Sequence, residues 1–446
     1  MMMFEAPDSR LYYVVEENDL VKLQGLIDEG RNLDEFYFDD QNISTKSLMH
    51  VACEKGRYDC VKLLIDNKAS MSVRDKWGQS PLMYSVASRH ADVAELLLMK
   101  NREIVDDSDS YGKSALHSAA EIGYVEGIRV LVKYGANVDR QMMDGNTALS
   151  RAICERDLED CSETVHVLIE AGADLNIRDR RCKRTALQNA AVKRNIKVVE
   201  MLLEAGADTN SLDGAGRTAL TNMMYEHVKN VQGVSFIPDD VMTIVVMMVQ
   251  AGIDLNLNTC EYCNPMMTAA NLRAEPLLRL FLTNGADANL TSVMGVSSLL
   301  ISTSKNDILS LKTLLEWNVR SDIPGLIYKR REDKEYMVDP FELAIMEGHF
   351  DTAKILISAG YGKYRKPYLF DKALLPRTLQ QNPDMLEWLQ SKASCPDSLL
   401  NLVLFSCRTL LGRNIKSAVK KLPIPARVRG MIALADLLDI QDDFSS

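Results

Sequence analysis

Proline is scarce in this chain of 446 residues, 13 in all, and histidine and tryptophan are scarcer still, at 6 and 3. None of the histidines clusters with cysteine or aspartate at a ligand or triad spacing, which leaves little material for a metal centre or a nucleophile and its base. Basic charge is in deficit too: 52 lysines and arginines face 62 acids, for a net charge of −10. That balance excludes a general nucleic-acid binder working by phosphate neutralisation. A long apolar run is also missing. The richest stretch, VMTIVVMMV from Val241 to Val249, is about half of the ~20 residues that a membrane helix needs. The opening MMMFEAPDSR lacks the apolar region of a secretory signal. These absences lead us to expect a soluble, cytoplasmic protein, with the nucleus also open to it, and neither membrane nor nucleic acid among its partners. Its nine cysteines then read as reduced thiols and not as a disulfide framework.

What is present is self-similarity. The segment YGKSALHSAAEIGYVEGIRVLVKYGANVD, Tyr111 to Asp139, recurs in modified form along the chain. The polar residue opening each unit falls at Ser47, Ser80, Ser114, Thr147, Thr185, Thr218, Asn264, Ser297 and Asp339, with a base period of 33 residues. Three openers, Ser80, Asn264 and Asp339, precede a proline, the pattern of an N-cap residue before the first helical position. Later in the unit, apolar residues fall at i, i+3 and i+4, as in Ile128, Leu131 and Val132 or Val199, Leu202 and Leu203, which predicts a second helix burying that stripe. Glycine follows at Gly135, Gly172, Gly206, Gly252, Gly285 and Gly360, where a left-handed cap is expected. Longer spacings mark insertions near 155–162, 227–240 and 325–337, expected in surface loops.

The repeating T-A-L-x-x-A-A and L-L-x-x-G-A-D-x-N strings resemble the ankyrin repeat. The resemblance implies an all-α fold, an ankyrin-repeat solenoid of helix-turn-helix units with short hairpin loops, over about nine units in residues 41–363. Residues 1–40, rich in acids, read as a degenerate capping repeat. Such a surface suits a protein partner better than a small molecule. Trp77 and Tyr111 precede the turn glycines of their units, placing two aromatics at hairpin tips, where binding anchors often sit. Arg180 and Arg181, with Lys183 and Arg184, make a basic tip suited to an acidic peptide. These four, Trp77, Tyr111, Arg180 and Arg181, are the candidate target-binding residues.

No enzyme chemistry is visible. Gly112-Lys113-Ser114 lacks the earlier glycine that a phosphate loop requires, since Asp107 stands there. Cys260 and Cys263 have half the spacing of a zinc site and no second pair. His50 and His117 occupy the position where an ankyrin unit ties turn to helix. The methionine pairs at 223–224, 247–248 and 266–267 fall at core spacing. We expect no catalytic residue, no metal and no cofactor.

Beyond Gly360 the period stops. Residues 364–396 read as a linker of short, proline-punctuated helices. From Leu399, apolar residues Leu402, Val403, Cys407, Leu410 and Leu411 continue one helical stripe, and Leu422-Pro423-Ile424-Pro425 follows nine residues after Gly412. About forty residues cannot form an independent core, so the stripe calls for a partner. Residues 397–440, before a tail at 441–446, resemble the SOCS box, a small three-helix module, and with the repeats they resemble the ankyrin repeat and SOCS box family. That resemblance implies elongin C, with elongin B, bound through Leu399, Leu402, Val403 and Cys407. It further implies a cullin of the cullin-five class, with its RING protein, facing Leu422, Pro423, Ile424 and Pro425. The implied function is that of a non-catalytic substrate-recognition subunit of a cullin-RING ubiquitin ligase with an unknown target. One residue departs from the family: Val403 stands at the usual cysteine, with Cys407 at the usual aliphatic position. The alternative is therefore an ankyrin scaffold whose degenerate box assembles no ligase.

Overall fold

The computed structural model describes residues 9–38, 45–154, 161–230, 237–257, 264–317, 319–329, 334–360, 366–371 and 373–394. The chain divides into two compact units, residues 1–215 and 216–446. Residues 397–440, Cys260 and Cys263 lie outside the described residues.

In the first unit six helix pairs follow one another: α1 (Ser9–Glu17) with α2 (Leu20–Asp28), α3 (Leu48–Glu54) with α4 (Tyr58–Asp66), α5 (Pro81–Ala87) with α6 (Ala91–Lys100), α7 (Ala115–Glu121) with α8 (Val125–Lys133), α9 (Ala148–Cys154) with α10 (Ser162–Glu170), and α11 (Ala186–Val192) with α12 (Ile196–Glu204). The first helix of each pair packs on the first helix of the next, and the second on the second. The second unit has four more pairs, α13 (Ala219–Asn230) and α14 (Asp239–Gln250), α15 (Pro265–Asn271) and α16 (Glu275–Thr283), α17 (Ser298–Ser304) and α18 (Ile308–Glu316), and α19 (Pro340–Glu347) and α20 (Phe350–Ser358); its first helices pack in succession, as do α16, α18 and α20.

All nine openers sit immediately before a first helix. Ser80 Oγ accepts from Met83 N, Asn264 Oδ1 from Met267 N at 2.8 Å, and Asp339 Oδ1 from Glu342 N at 2.9 Å. Each satisfies an amide that the helix itself leaves unpaired. Of the expected stripes, Ile128, Leu131, Val199 and Leu202 are fully buried, while Val132 and Leu203 are half-buried. Five of the six paired methionines, Met223, Met224, Met248, Met266 and Met267, are at most 2% exposed, which makes them packing and not a binding surface, while Met247 is half-buried. The six post-helical glycines all have positive φ. The A-D-x-N string gains a reason as well. Its last side chain reaches the next repeat, as Asn176 Oδ1 accepts from Asp208 N at 2.9 Å and Asn289 Oδ1 from Arg320 N at 2.7 Å.

Two hairpins modify the all-α expectation. Strands β1 (Phe36–Phe38) and β2 (Thr45–Ser47) pair antiparallel, as do β3 (Gly325–Lys329) and β4 (Lys334–Val338). The second pair is the insertion near 325–337. Its register places Ile327 opposite Tyr336, and both pack against Leu300, Val338 and Leu343. That apolar face gives the strands a reason to form that a free surface loop would lack. The insertion near 227–240 extends α13 and α14 to 12 residues each, with 231–236 outside the described residues, as is 155–160 of the first insertion. Past the last pair, α21 (Arg377–Gln380) packs on α19, and α22 (Pro383–Ser394) on α21. Leu379 and Leu389 are fully buried there, and Thr378 Oγ1 donates to Ile345 O.

Candidate functional site

Four successive hairpins between repeats of the first unit are each folded by an aspartate at the base. Asp75 Oδ1 accepts from Trp77 N (2.9 Å) and Gln79 N (2.7 Å). Asp109 Oδ1 accepts from Tyr111 N (2.8 Å) and Lys113 N (2.9 Å). Asp144 accepts from Asn146, and Asp179 from Cys182 N and Arg184 N. A short carboxylate bonding the backbone two to five residues on closes a tight turn without help from other elements.

The tips so formed are joined to one another through the backbone. Ser110 N donates to Trp77 O (2.9 Å), Met143 N to Tyr111 O (3.0 Å), Arg180 N to Asp144 O (2.8 Å) and Gly214 N to Cys182 O (2.7 Å). Side chains reinforce the row: Arg74 pairs with Asp107 at 2.8 Å, and Arg140 donates to Ser108 Oγ at 3.0 Å. Trp77, Tyr111, Arg180 and Arg181, which the sequence put at tips, stand there along one edge. Trp77 is 40% exposed and Tyr111 64%, and both arginines are exposed. Lys76 Nζ lies 4.3 Å from the centre of the Trp77 ring. Sequence reasoning missed Met143, exposed at the intervening tip. The signal was its place two residues before the turn glycine Gly145.

Several other charges of the first unit are answered within the fold. Lys46 pairs with Glu54, and Glu121 is held between Lys113 and Arg151. By contrast, the side chains of Arg181 and Lys183 meet no acid among the described residues. The tip row is thus where uncompensated charge and exposed rings coincide, the combination that favours a protein partner. Among the described residues no group of three or more His, Cys, Asp or Glu could hold a metal ion, and no helix is long and apolar enough to cross a membrane. The residues Leu399, Leu402, Val403, Cys407 and Leu422 to Pro425 lie outside the described residues.

His50 and His117 do the tying expected of them. Ser47 N donates to His50 Nδ1 at 3.2 Å, so the ring proton sits on Nε2, which points at Gln79 O of the next hairpin at 3.0 Å. His117 makes the bond within its cap, Nδ1 accepting from Ser114 N, but its buried Nε2 finds no hydrogen-bond partner among the described residues. In the fifth unit a glutamine does the same work: Gln188 Oε1 accepts from Thr185 N and Nε2 donates to Ser211 O, each at 2.9 Å. Burial lowers the pKa of both histidines, outweighing Asp75 near His50, while Lys46 and Arg74 near His50, and Lys113 and Arg140 near His117, push the same way as burial. With the folded-state pKa depressed, the unfolded chain takes up protons first. Their contribution to stability is complete above about pH 6.5, the ordinary imidazole value, and is lost as pH falls below it. Replacing both residues with glutamine is expected to flatten the fall of the urea midpoint between about pH 7 and 5; an unchanged slope would show that other groups set it.

The family model described as ankyrin repeats (3 copies) matches residues 11–109, 103–179 and 158–233, which together make half of the chain. The chain belongs to the ankyrin-repeat family, and such repeats indicate a protein-interaction scaffold. Among curated proteins it is similar to human B-cell lymphoma 3 protein, 27% identical over 239 residues, covering 52% of this chain and 49% of that protein. It is also similar to human ankyrin repeat and SOCS box protein 16, 28% identical over 189 residues and 41% of each chain. A third relative, the transient receptor potential cation channel subfamily A member 1 homolog of Caenorhabditis elegans, is 32% identical over 114 residues, 26% of this chain and 9% of that protein. The chain covers less than half the length of each of these relatives.

Proposed function

We propose that this protein is the non-catalytic, target-binding subunit of an elongin B/C cullin-RING ubiquitin ligase in the cytoplasm. The repeats hold the target, and residues 397–440 dock elongin C and the cullin. The observation that carries this reading is the fixed spacing of Leu411-Gly412 and Leu422-Pro423-Ile424-Pro425, which resembles the two halves of a SOCS box. Similarity of part of the chain to an ankyrin repeat and SOCS box protein supports it. No side chain need react in such a subunit. Tethering raises the effective concentration of the target's lysines beside the charged conjugating enzyme, and linker geometry sets the gain.

Val403 favours a second reading, a scaffold that assembles no ligase. Valine's branched carbon adds bulk and removes rotamers where a cysteine usually enters a pocket. Capture of purified elongin B/C on the immobilised full chain separates the two. The ligase reading expects capture by the wild type and its loss in Leu399→Arg, which drives a charge into an apolar contact. Capture by Val403→Cys alone favours the scaffold, and capture by neither ends the ligase reading.

A further inference from the structure

We propose that the hairpin-tip row between Lys76 and Lys183 recognises an extended acidic segment of the target that carries an apolar side chain at every third residue. This names the partner chemistry of the target-binding role and rests on that part of the proposed function, not on the elongin docking.

Three consecutive tips each expose one large apolar side chain: Trp77 at 40%, Tyr111 at 64% and Met143 at 65%. Isolated exposed apolar residues are ordinary on a surface, but these stand on neighbouring tips joined by Ser110 N to Trp77 O and Met143 N to Tyr111 O. The next tip, joined by Arg180 N to Asp144 O, turns from apolar to basic. Arg180 spends its guanidinium on Met143 O at 3.4 Å, whereas Arg181 and Lys183 project without an acidic partner among the described residues. Asp144 is the one exposed acid of these tips, and Asn146 N and Nδ2 occupy its two carboxylate oxygens at 3.0 and 2.8 Å. At the far end Lys76 lies against Trp77. In a chain of net charge −10, the last tip, where Arg178, Arg180, Arg181, Lys183 and Arg184 surround Asp179, is locally positive, and an acidic segment complements it.

The spacing sets the register. Neighbouring tips belong to neighbouring helix layers, about 8–10 Å apart. An extended strand advances about 3.3 Å per residue, so each tip meets one residue in three. A partner strand therefore sets apolar residues on Trp77, Tyr111 and Met143, and acids three residues beyond on Arg181 and Lys183. Backbone hydrogen bonding between tips fixes the row before binding, which limits the ordering cost.

The test is fluorescence anisotropy of a labelled synthetic peptide with apolar residues at every third position and two glutamates three residues beyond the last, together with the same peptide in reversed order. The full chain is expected to bind one of the two, more weakly as salt is raised. Trp77→Ala with Tyr111→Ala, and separately Arg181→Glu with Lys183→Glu, are each expected to weaken binding about tenfold or more, with circular dichroism unchanged. A composition-matched peptide with its apolar residues adjacent is expected to bind at least tenfold more weakly. Equal affinity for that peptide, or variants that fold and bind as wild type, overturns the proposal. Self-association of the wild type that the Trp77 and Tyr111 variant abolishes does so too, because the row then serves a second copy of this chain. Loss of elongin capture with peptide binding intact removes the ligase reading and leaves this one standing.

Discussion

Phe281→Ala lowers the stability of the second unit by about 3–5 kcal/mol, the range for truncating a buried phenylalanine. Phe281 is fully buried and is among the largest such side chains of the chain. It lies on α16, which packs against α15 within its repeat and α18 of the next. Truncation removes the ring's burial free energy and leaves a cavity that three rigid helices close only in part. Stacked repeats couple to their neighbours and little further, so the loss stays local. Amide exchange in α15 to α18 should accelerate strongly, while α5 to α8 keep their protection. A midpoint shift worth less than about 1 kcal/mol, or an equal loss of protection in α5 to α8, would contradict this. Phe281→Leu, which keeps most of the volume, is expected to cost much less.

The sequence disclosed the repeat because helix periodicity, cap chemistry and the turn glycine recur together, and each has a local cause. Ser80-Pro81 or Asn264-Pro265 reads as a helix start in any context, and the structure places both as caps. The β3 and β4 strands were less legible. Five residues allow little more than two cycles of alternation, and charged Lys329 to Glu335 interrupt them, so the segment reads as a loop until its packing on Leu300 and Leu343 is seen. For the tip row the outcome was mixed. The period sufficed to place Trp77 and Tyr111 at equivalent tips. The bonds joining the tips run between backbone groups, which any residue supplies, so no side-chain pattern announces them. Asp75, Asp109 and Asp179 carry no sequence signal of their own for the same reason: their role lies in which amides they accept from. The reading of Leu399 to Pro425 rests on resemblance and spacing alone, and these residues lie outside the described ones.

Gly145→Ala is expected to cost about 1.5–3.5 kcal/mol, the sum of two separable effects. Gly145 has φ +84°, a region that costs an L side chain about 1–2 kcal/mol. In addition, a Cβ there would fall inside van der Waals distance of Arg180 N, the group that donates to Asp144 O across the tips. Backbone cannot swing aside as a flexible side chain can, so that bond must lengthen or break, for about another 0.5–1.5 kcal/mol. Gly172 supplies the control: its φ is also +84°, and nothing lies within 4 Å of a Cβ built on it. Gly172→Ala should therefore show the conformational cost alone. Urea midpoints of the two variants measure the difference, and amide exchange at Arg180 should quicken only in Gly145→Ala. Equal costs would mean that the contact between these two tips contributes nothing to stability. The predicted inequality would make Gly145 the residue that lets the apolar tips and the basic tip lie close enough to act as one surface.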